Sequence, residues 1–200
     1  MEIENLSPGG FAANCYLLTS GNDAVLIDPT APVAAVRAAL QKKNATLRAI
    51  LLTHGHFDHL LTAEKLRDAF RVPLLVHKED AEMLDNGEKN ASASFLYQSV
   101  CCSPADQTFV GGNTLSFGAI TLSVMHTPGH TKGSSVFLTE GIAFTGDTLF
   151  AEGYGRTDLW GGSTPALLSS LKALSRLDPT TRIYPGHGEH TALRYAISFL

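Results

Sequence analysis

Short apolar runs alternate with helical patterns along the first half of the chain. Strands are predicted at residues 14–19, 24–27, 49–52 and 73–76. Helices are predicted from Pro32 to about Lys43 and from about Leu60 to Phe70, because their apolar residues recur at helical spacing. Strands that alternate with helices are typical of an α/β fold, in which helices cover a sheet.

The second half of the chain is richer in strands. They are predicted at residues 108–110, 115–117, 120–125, 135–138, 142–144 and 182–184. Residues 111–113 predict a hairpin turn, and Thr164 is expected to cap a helix that begins with Pro165 and runs to about Arg176. Two strand-rich halves, each with helices, predict two sheets packed face to face with helices outside.

Composition and charge exclude several classes of protein. Of 200 residues, 44% are hydrophobic and 17% are charged, which is the balance of a core-forming protein. The net charge of -4, with no basic stripe, argues against a nucleic-acid partner. No apolar run approaches the roughly 18 residues of a membrane span, and the N-terminus lacks a signal-peptide pattern. Three cysteines favour a reducing cytoplasm, with Cys15 as a buried apolar side chain.

Five of the eight histidines, together with two aspartates, follow directly after predicted strands. They are His54, His56, Asp58, His59, His130, Asp147 and His187. The carboxyl ends of strands are where open α/β folds gather site residues from distant parts of the chain. The pattern H-x-H-x-D-H arises by chance in roughly one of every 1,600 chains of this composition, which favours a metal site over solvated histidines.

Imidazoles and carboxylates are the ligands that Zn²⁺ takes, at about 2.0–2.2 Å. Four of them within six residues cannot all reach one ion, but they fit a pair of ions about 3.5–4 Å apart. We expect one ion on His54, His56 and His130, the other on Asp58, His59 and His187, and Asp147 as a bridge. Such a pair lowers the pKa of a bridging water toward about 7 or below. Zinc is the preferred metal, with iron or manganese as alternatives.

Five motifs closely resemble the metallo-β-lactamase superfamily, and within it the glyoxalase II (hydroxyacylglutathione hydrolase) group. They are THGHFDH at 53–59, TPGHT at 127–131, FTGDTLF at 144–150, GRTD at 155–158 and YPGHG at 184–188. The resemblance implies a four-layer αββα sandwich of the α/β class with a dinuclear site at one edge. It also implies that Asp28 supports the site, with a simple strand-end turn as the alternative. Arg156 stands where the family has a basic residue near the glutathione moiety, with a structural ion pair as the alternative.

The chain differs from several groups of the family, and these differences narrow the expected type of protein. Full-length glyoxalase II has a C-terminal helical domain that supplies much of the glutathione site, whereas thirteen residues follow His187 here. We therefore expect residues 1–200 to form a single metallo-hydrolase domain of the short type, without that helical domain. The commonest class B β-lactamases have a cysteine ligand where this chain has Asp147, and flavodiiron proteins have a glutamate where it has His56. Both differences argue against those groups.

The resemblance implies a hydrolase of glutathione-type thiol esters such as S-lactoylglutathione. A hydroxide between the metals attacks the carbonyl, and Asp58, as a metal ligand, orients it. A persulfide dioxygenase is an alternative, since that group looks like glyoxalase II but binds one Fe(II), here through His54, His130 and Asp147. A lactonase or other small-ester hydrolase, or a metal-binding protein without activity, are further alternatives. The expected partner is a small molecule, with no nucleic acid and no membrane.

Several residues carry no clear pattern. Residues 80–103 are expected to be helical and irregular, with Phe95, Leu96 and Tyr97 in plain core packing and a pocket wall or subunit contact as alternatives. His77 and His126 are expected to be packed or solvated histidines. His190 lies three residues past His187 and is a candidate for supporting a ligand.

Overall fold

The computed structural model of the protein describes residues 1–7 and 9–198. Its framework is a pair of six-stranded sheets. The first sheet contains, in spatial order, β1 (Glu2–Asn5), β2 (Tyr16–Ser20), β3 (Asp23–Ile27), β4 (Thr46–Leu51), β5 (Leu74–His77) and β6 (Gln107–Phe109). The second contains β12 (Thr191–Ala192), β11 (Arg182–Pro185), β10 (Ile142–Gly146), β9 (Ser135–Thr139), β8 (Ile120–His126) and β7 (Thr114–Phe117).

Helices cover the outer faces of both sheets. They are α1 (Val33–Lys43) and α2 (Ala63–Phe70) on the first sheet, and α4 (Thr164–Leu174) and α5 (Leu193–Ala196) on the second. A short helix, α3 (Ser92–Leu96), and 3-10 turns at Phe57–His59 and Lys78–Met83 lie in the connecting segments. Val36 of α1 and Leu66 of α2 pack in one buried cluster with Leu26 of the first sheet. Leu171 of α4 packs with Val136 of the second sheet. This order of layers confirms the predicted αββα sandwich.

Alternation along the strands explains why the sheets stack. Leu17 of β2 faces the α1 and α2 layer, whereas its neighbour Leu18 enters the space between the sheets. There it shares a cluster with Phe137 and Phe144 of the second sheet. Burying each such side chain contributes about 1.5–3 kcal/mol, so the alternation fixes which face of each sheet is inward.

Strand direction brings the loops of interest to one edge. Strands β3 to β6 pair in parallel, so their carboxyl ends point the same way. In the second sheet β10 and β11 are parallel, and β8 shares their direction because both β8 and β10 are antiparallel to β9. The chain segments that follow β4, β8, β10 and β11 therefore meet at one edge of the sandwich.

Some sequence-based expectations about elements are wrong. Residues 111–113 do form a turn, with the Asn113 N–H donating to the Val110 carbonyl at 3.2 Å. The turn joins β6 of the first sheet to β7 of the second, so it is no hairpin. Ser163 caps α4 in place of Thr164, because its hydroxyl accepts from the Ala166 N–H, and the helix ends at Leu174. Strands β1 and β12 and helix α5 are short and were not predicted.

The expectation that Cys15 is buried holds. Cys15 is fully buried, and burial raises the pKa of its thiol to about 11. All three cysteines are free. Among the helices of residues 1–7 and 9–198, none is both long enough and apolar enough to cross a membrane.

Candidate metal centre

All seven residues that the sequence predicts for a metal site meet at the shared edge of the sandwich. Two sets of three offer ligand atoms that lie within 4.8 Å of one another. The inner group is defined here as His54, His56 and His130, and the outer group as Asp58, His59 and His187. A third set, His54, His59 and Asp147, connects them.

The inner group is a compact cluster of buried imidazoles. His56 Nδ1 lies 2.8 Å from His130 Nε2. The His54 ring centroid is 4.8 Å from that of His56 and 4.7 Å from that of His130. The three residues are only 1% to 3% exposed. Rings this close and this deep present their nitrogen lone pairs to one small volume.

The outer group lies beside it and opens toward solvent. His187 Nε2 is 3.2 Å from Asp58 Oδ2, and the two side chains are 35% and 20% exposed. Asp147 stands between the groups: its Oδ1 is 3.2 Å from His59 Nε2, and its Oδ2 is 3.5 Å from His130 Nε2. Asp147 Oδ2 is also 3.7 Å from His187 Nε2. One carboxylate therefore reaches both groups.

Hydrogen bonds behind the inner histidines fix which ring nitrogen carries the proton. The Thr53 hydroxyl donates its one proton to Asp28 Oδ2 at 2.8 Å, so it accepts from His54 Nδ1 at 3.2 Å. His130 Nδ1 lies 2.7 Å from the Arg156 carbonyl, which only accepts. Both rings therefore carry a proton at Nδ1 and direct Nε2 toward the cluster.

Burial keeps His54 and His56 neutral. It lowers the pKa of His54 well below the usual value, and the neighbouring His59 and His130 lower it further. Burial, followed by the proximity of His130, lowers the pKa of His56 to about 3. Neutral imidazole is the form that binds a metal ion, so both rings are in the ligating state at neutral pH.

The pKa values of His59, Asp58 and Asp147 are set mainly by their charged neighbours. Burial alone would lower the pKa of His59, but the carboxylates of Asp28 and Asp147 outweigh it and raise that pKa well above the usual value. Burial alone would raise the pKa of Asp58, but the hydrogen bond from His187 and the charge of His59 lower it. Burial alone would also raise the pKa of Asp147, but the nearby histidines, His59 above all, lower it. Both aspartates are therefore ionised.

Asp28 holds the site from behind, as the family resemblance implies. It is 1% exposed and adopts a left-handed backbone conformation at φ 53°. Its carboxylate accepts from the Thr53 N–H at 2.8 Å and lies 3.0 Å from His59 Nδ1. Few non-glycine residues adopt this conformation, so the backbone strain is consistent with a functional role for Asp28 in positioning Thr53 and His59.

Asp80 is a positioning residue that the sequence did not reveal. It is fully buried, and its carboxylate accepts from the Gly55 N–H at 3.0 Å, the Thr131 hydroxyl at 2.7 Å and the Gly133 N–H at 2.6 Å. These donors flank His56 on one loop and His130 on another. Asp80 therefore ties together the two loops that carry the inner group. Its partners are backbone groups and a hydroxyl, and such groups leave no recognisable motif.

Two glycines give the donors room. A Cβ added to Gly186 would lie 2.2 Å from Asp147 Oδ1 and 2.6 Å from His59 Cε1. A Cβ on Gly155 would lie 2.0 Å from the Asp147 carbonyl oxygen and 2.9 Å from His130 Nδ1. Real Cβ atoms do not approach so closely, so only glycine fits at these positions.

A cavity of about 270 Å³ lies over the donors. Its floor includes His56, Asp58, His130, Asp147 and His187. Its walls include Phe11, Phe57, Ala91, Phe95, Leu159 and Arg156. The expectation of plain core packing for residues 95–97 is therefore wrong: Phe95 is 48% exposed at the cavity, and Tyr97 is 94% exposed. The helix α3 that carries Phe95 begins after Ala91 and ends before Tyr97, and both of these flanking residues are in the left-handed conformation.

Arg156 forms an ion pair, which is the alternative given for it above. Its Nε and Nη2 donate to the two carboxylate oxygens of Asp158 at 2.6 Å and 2.7 Å. Its guanidinium carbon also lies 5.6 Å from the ring centroid of Phe95. Arg156 therefore lines the cavity while its charge is engaged by an ion pair.

The remaining histidines lie outside the donor cluster. His77 is buried and stacks on the exposed His126 with ring centroids 4.2 Å apart. Burial, followed by the charge of His126, lowers the pKa of His77 to about 4. His190 stacks on Tyr184 with centroids 5.3 Å apart.

The family model of the metallo-β-lactamase superfamily matches residues 8–187. The chain belongs to this superfamily. It is 39% identical to an uncharacterized protein of Mycobacterium tuberculosis, over 96% of this chain and 93% of that one. Identity is 32% to the probable metallo-hydrolase YqgX of Bacillus subtilis, over 96% and 92%. It is 31% to the hydroxyacylglutathione hydrolase GloC of Haemophilus influenzae, over 96% and 93%.

Solved structures of the metallo-β-lactamase fold agree with this assignment. The BLEG-1 B3 metallo-β-lactamase has a TM-score of 0.91 and 33% identity, over 98% of this chain and 97% of that one. TTHA1623 in a di-iron-bound form has a TM-score of 0.84 and 33% identity, over 96% of each chain. ETHE1 from Myxococcus xanthus has a TM-score of 0.78 and 28% identity, over 97% and 80%.

The donor cluster fits the divalent cations that a metallo-β-lactamase fold implies. Five buried side-chain atoms have no hydrogen-bond partner among the described residues: His54 Nε2, His56 Nε2, His59 Nδ1, His59 Nε2 and Asp147 Oδ1. Leaving a buried polar group unsatisfied costs about 1–3 kcal/mol, and a cation would satisfy Nε2 of His54 and of His56 and Oδ1 of Asp147.

Proposed function

We propose that this metallo-hydrolase is a two-metal hydrolase of thiol esters, with glutathione thiol esters such as S-lactoylglutathione as the first substrates to examine. One observation carries the proposal. The inner and outer groups each supply three donors, and Asp147 reaches both. A structural zinc site is complete with four ligands, so seven donors around one cavity favour a pair of ions at a reactive site.

The roles of the side chains follow from their positions. His54, His56 and His130 would hold one ion, Asp58, His59 and His187 the other, and Asp147 would bridge them. When bound, such ions supply Lewis acidity that lowers the pKa of water and polarises a carbonyl. Asp58 and His187 are the donors most open to the cavity, so they face the reacting groups.

The reaction balances without a further co-reactant. The oxygen of water bonds to the acyl carbon, the carbon–sulfur bond breaks, and the thiolate leaves with the electron pair. The products are a carboxylate, a thiol and one released proton. Asp58 would act as a metal ligand that also orients the attacking water. When the carboxylate is ionised, its two oxygens only accept hydrogen bonds, so the water donates to them. The backbone carbonyl of Arg156 accepts a hydrogen bond from His130 Nδ1–H and so fixes the tautomer of this ring.

The preference for a thiol ester rests on chemistry and on similarity. A thiolate is a good ligand for Zn²⁺, so the leaving group suits this donor set. The Haemophilus influenzae relative is named a hydroxyacylglutathione hydrolase, whereas the Bacillus subtilis relative is named only a probable metallo-hydrolase. The BLEG-1 neighbour is titled a B3 metallo-β-lactamase, so a β-lactam is the rival substrate to include.

The test is turnover by the zinc-reconstituted protein, measured as thiol released from S-lactoylglutathione. We expect metal-dependent release that Asp58→Ala and His59→Ala abolish, while Asp68→Ala on the exposed face of α2 retains it. Turnover of lactones, other esters or a β-lactam in place of thiol esters would overturn the substrate class. Oxygen uptake with a persulfide by protein holding one iron would replace the hydrolase with the dioxygenase, through His54, His130 and Asp147.

A further inference from the structure

The cavity over the donors has an aromatic wall. The ring centroid of Phe57 lies 6.1 Å from that of Phe11 and 6.1 Å from that of Phe95, so the three rings form a continuous apolar surface. Phe11 is 60% exposed and Phe95 is 48% exposed. Large apolar side chains that are exposed together beside a concave site mark a surface for binding.

The side chains that line the same cavity offer few positive charges to an anionic group. Among the described residues that line it, Arg156 is the one lysine or arginine. Its Nε and Nη2 are taken by both oxygens of Asp158, and its face lies over Phe95. Among these described residues, the carboxylates of a glutathione moiety therefore find no uncommitted lysine or arginine.

From these two observations we infer that the site selects its substrate by an apolar, preferably aromatic, acyl group, and that the thiol carrier stays outside the cavity. The inference rests on the proposed thiol-ester hydrolysis and adds the substrate class. Phe95 is then a specificity-determining residue.

The dimensions agree with an aromatic acyl group. A cavity of about 150 Å³ is enough to hold benzene. The volume here is about 270 Å³, which leaves room for the carbonyl beside the ring. A substrate phenyl ring at 4.5–7 Å from Phe57 or Phe95 makes the tilted contacts that aromatic pairs prefer. Water then adds to the acyl carbon and the carbon–sulfur bond breaks, as for any thiol ester.

The experiment compares four thiol esters on the metal-loaded protein. Lactoyl and mandeloyl groups share the α-hydroxyl and differ in a methyl against a phenyl, and each is joined either to glutathione or to N-acetylcysteamine. We expect kcat/KM to be about tenfold or more higher for mandeloyl on both carriers, since the phenyl adds buried apolar area. Changing the carrier should alter kcat/KM by less than about threefold, because this part stays in solvent.

Two variants identify the wall. Phe95→Ala should remove most of the preference for mandeloyl, chiefly through KM, because the ring is lost from the cavity. Ser94→Ala, at the neighbouring exposed position of α3, should keep it. Turnover of all four esters without an acyl preference, or with a preference for glutathione above about tenfold, would overturn this inference and leave the hydrolase intact. No turnover of any of the four by metal-loaded protein would overturn the proposed function itself.

Discussion

The inner and outer donor groups differ in depth and in chemistry. The inner group consists of three buried imidazoles, each at most 3% exposed, held by a threonine hydroxyl, a backbone carbonyl and the buried Asp80. The outer group contains a carboxylate and two imidazoles, and its Asp58 and His187 are 20% and 35% exposed. The buried inner group and the more exposed, charged outer group therefore have different roles. The inner group anchors a metal ion, and the outer group faces the substrate.

The strongest way to break this comparison is to remove the residue that both groups share. In Asp147→Asn the negative charge is lost and an amide group replaces one of the two accepting oxygens. We expect loss of metal from both groups and a fall in kcat of roughly 10³-fold or more. Elemental analysis and thiol release measure both effects. Asp68→Asn, on the exposed side of α2, is the matched control, and equal behaviour of the two variants would refute the bridging role.

A second substitution separates the two groups. The methyl of Gly186→Ala collides with Asp147 and His59 but reaches no inner histidine among its nearest contacts. We expect about one metal per chain to remain and activity to fall about 10²-fold, as displacements near 1 Å do.

Gly188→Ala provides the control for Gly186→Ala. Gly188 has φ +78° and nothing within 4 Å of an added Cβ, so this variant introduces backbone strain without a collision. It should lose some stability and keep its metal. If Gly188→Ala lost metal as readily as Gly186→Ala, steric exclusion at Gly186 would not be the cause.

A third substitution loosens the inner group alone. In Asp80→Asn the amide leaves at least one of the three buried donors without an acceptor, at a cost of about 1–3 kcal/mol in the free energy of unfolding. Because Asp80 joins the loops of His56 and His130, metal affinity should also fall about 10- to 100-fold. Denaturant unfolding and metal titration measure the two effects. The exposed Asp85→Asn should change neither, and an unchanged metal affinity in Asp80→Asn would show that the tie is dispensable.

The smallest effect concerns a buried histidine outside both groups. The pKa of His77 is about 4 in the folded protein and near 6.5 when exposed, so the unfolded chain takes up a proton first. Its contribution to stability is present above pH 6.5 and is lost as the pH falls toward 4, by at most about 3 kcal/mol.

Urea unfolding from pH 7.5 to 4 measures the contribution of His77. Stability should decline less steeply in His77→Gln than in the parent protein, and the exposed His190→Gln should follow the parent. Parallel curves for the parent and His77→Gln would show that burial does not hold this ring neutral.

How much the sequence predicts depends on where the signal lies. All donors of both groups follow strands and form rare histidine and aspartate patterns, so their meeting at one edge could be foreseen. Asp80 could not, because it binds backbone N–H groups and a hydroxyl on loops distant in sequence. The aromatic wall could not either, since Phe95 is placed by two left-handed residues, Ala91 and Tyr97, that no local pattern marks. The crossing at residues 111–113 was mistaken for a hairpin, because alternation does not reveal which sheet a strand joins.

The most direct test of the central claim is the number of metal ions per chain. Elemental analysis of protein purified without added metal, with thiol release from S-lactoylglutathione measured on the same sample, reports occupancy and activity together. The two-group account predicts about two ions per chain, zinc or mixed zinc and iron, with turnover that rises with the second ion. One ion per chain with full hydrolytic activity would contradict it.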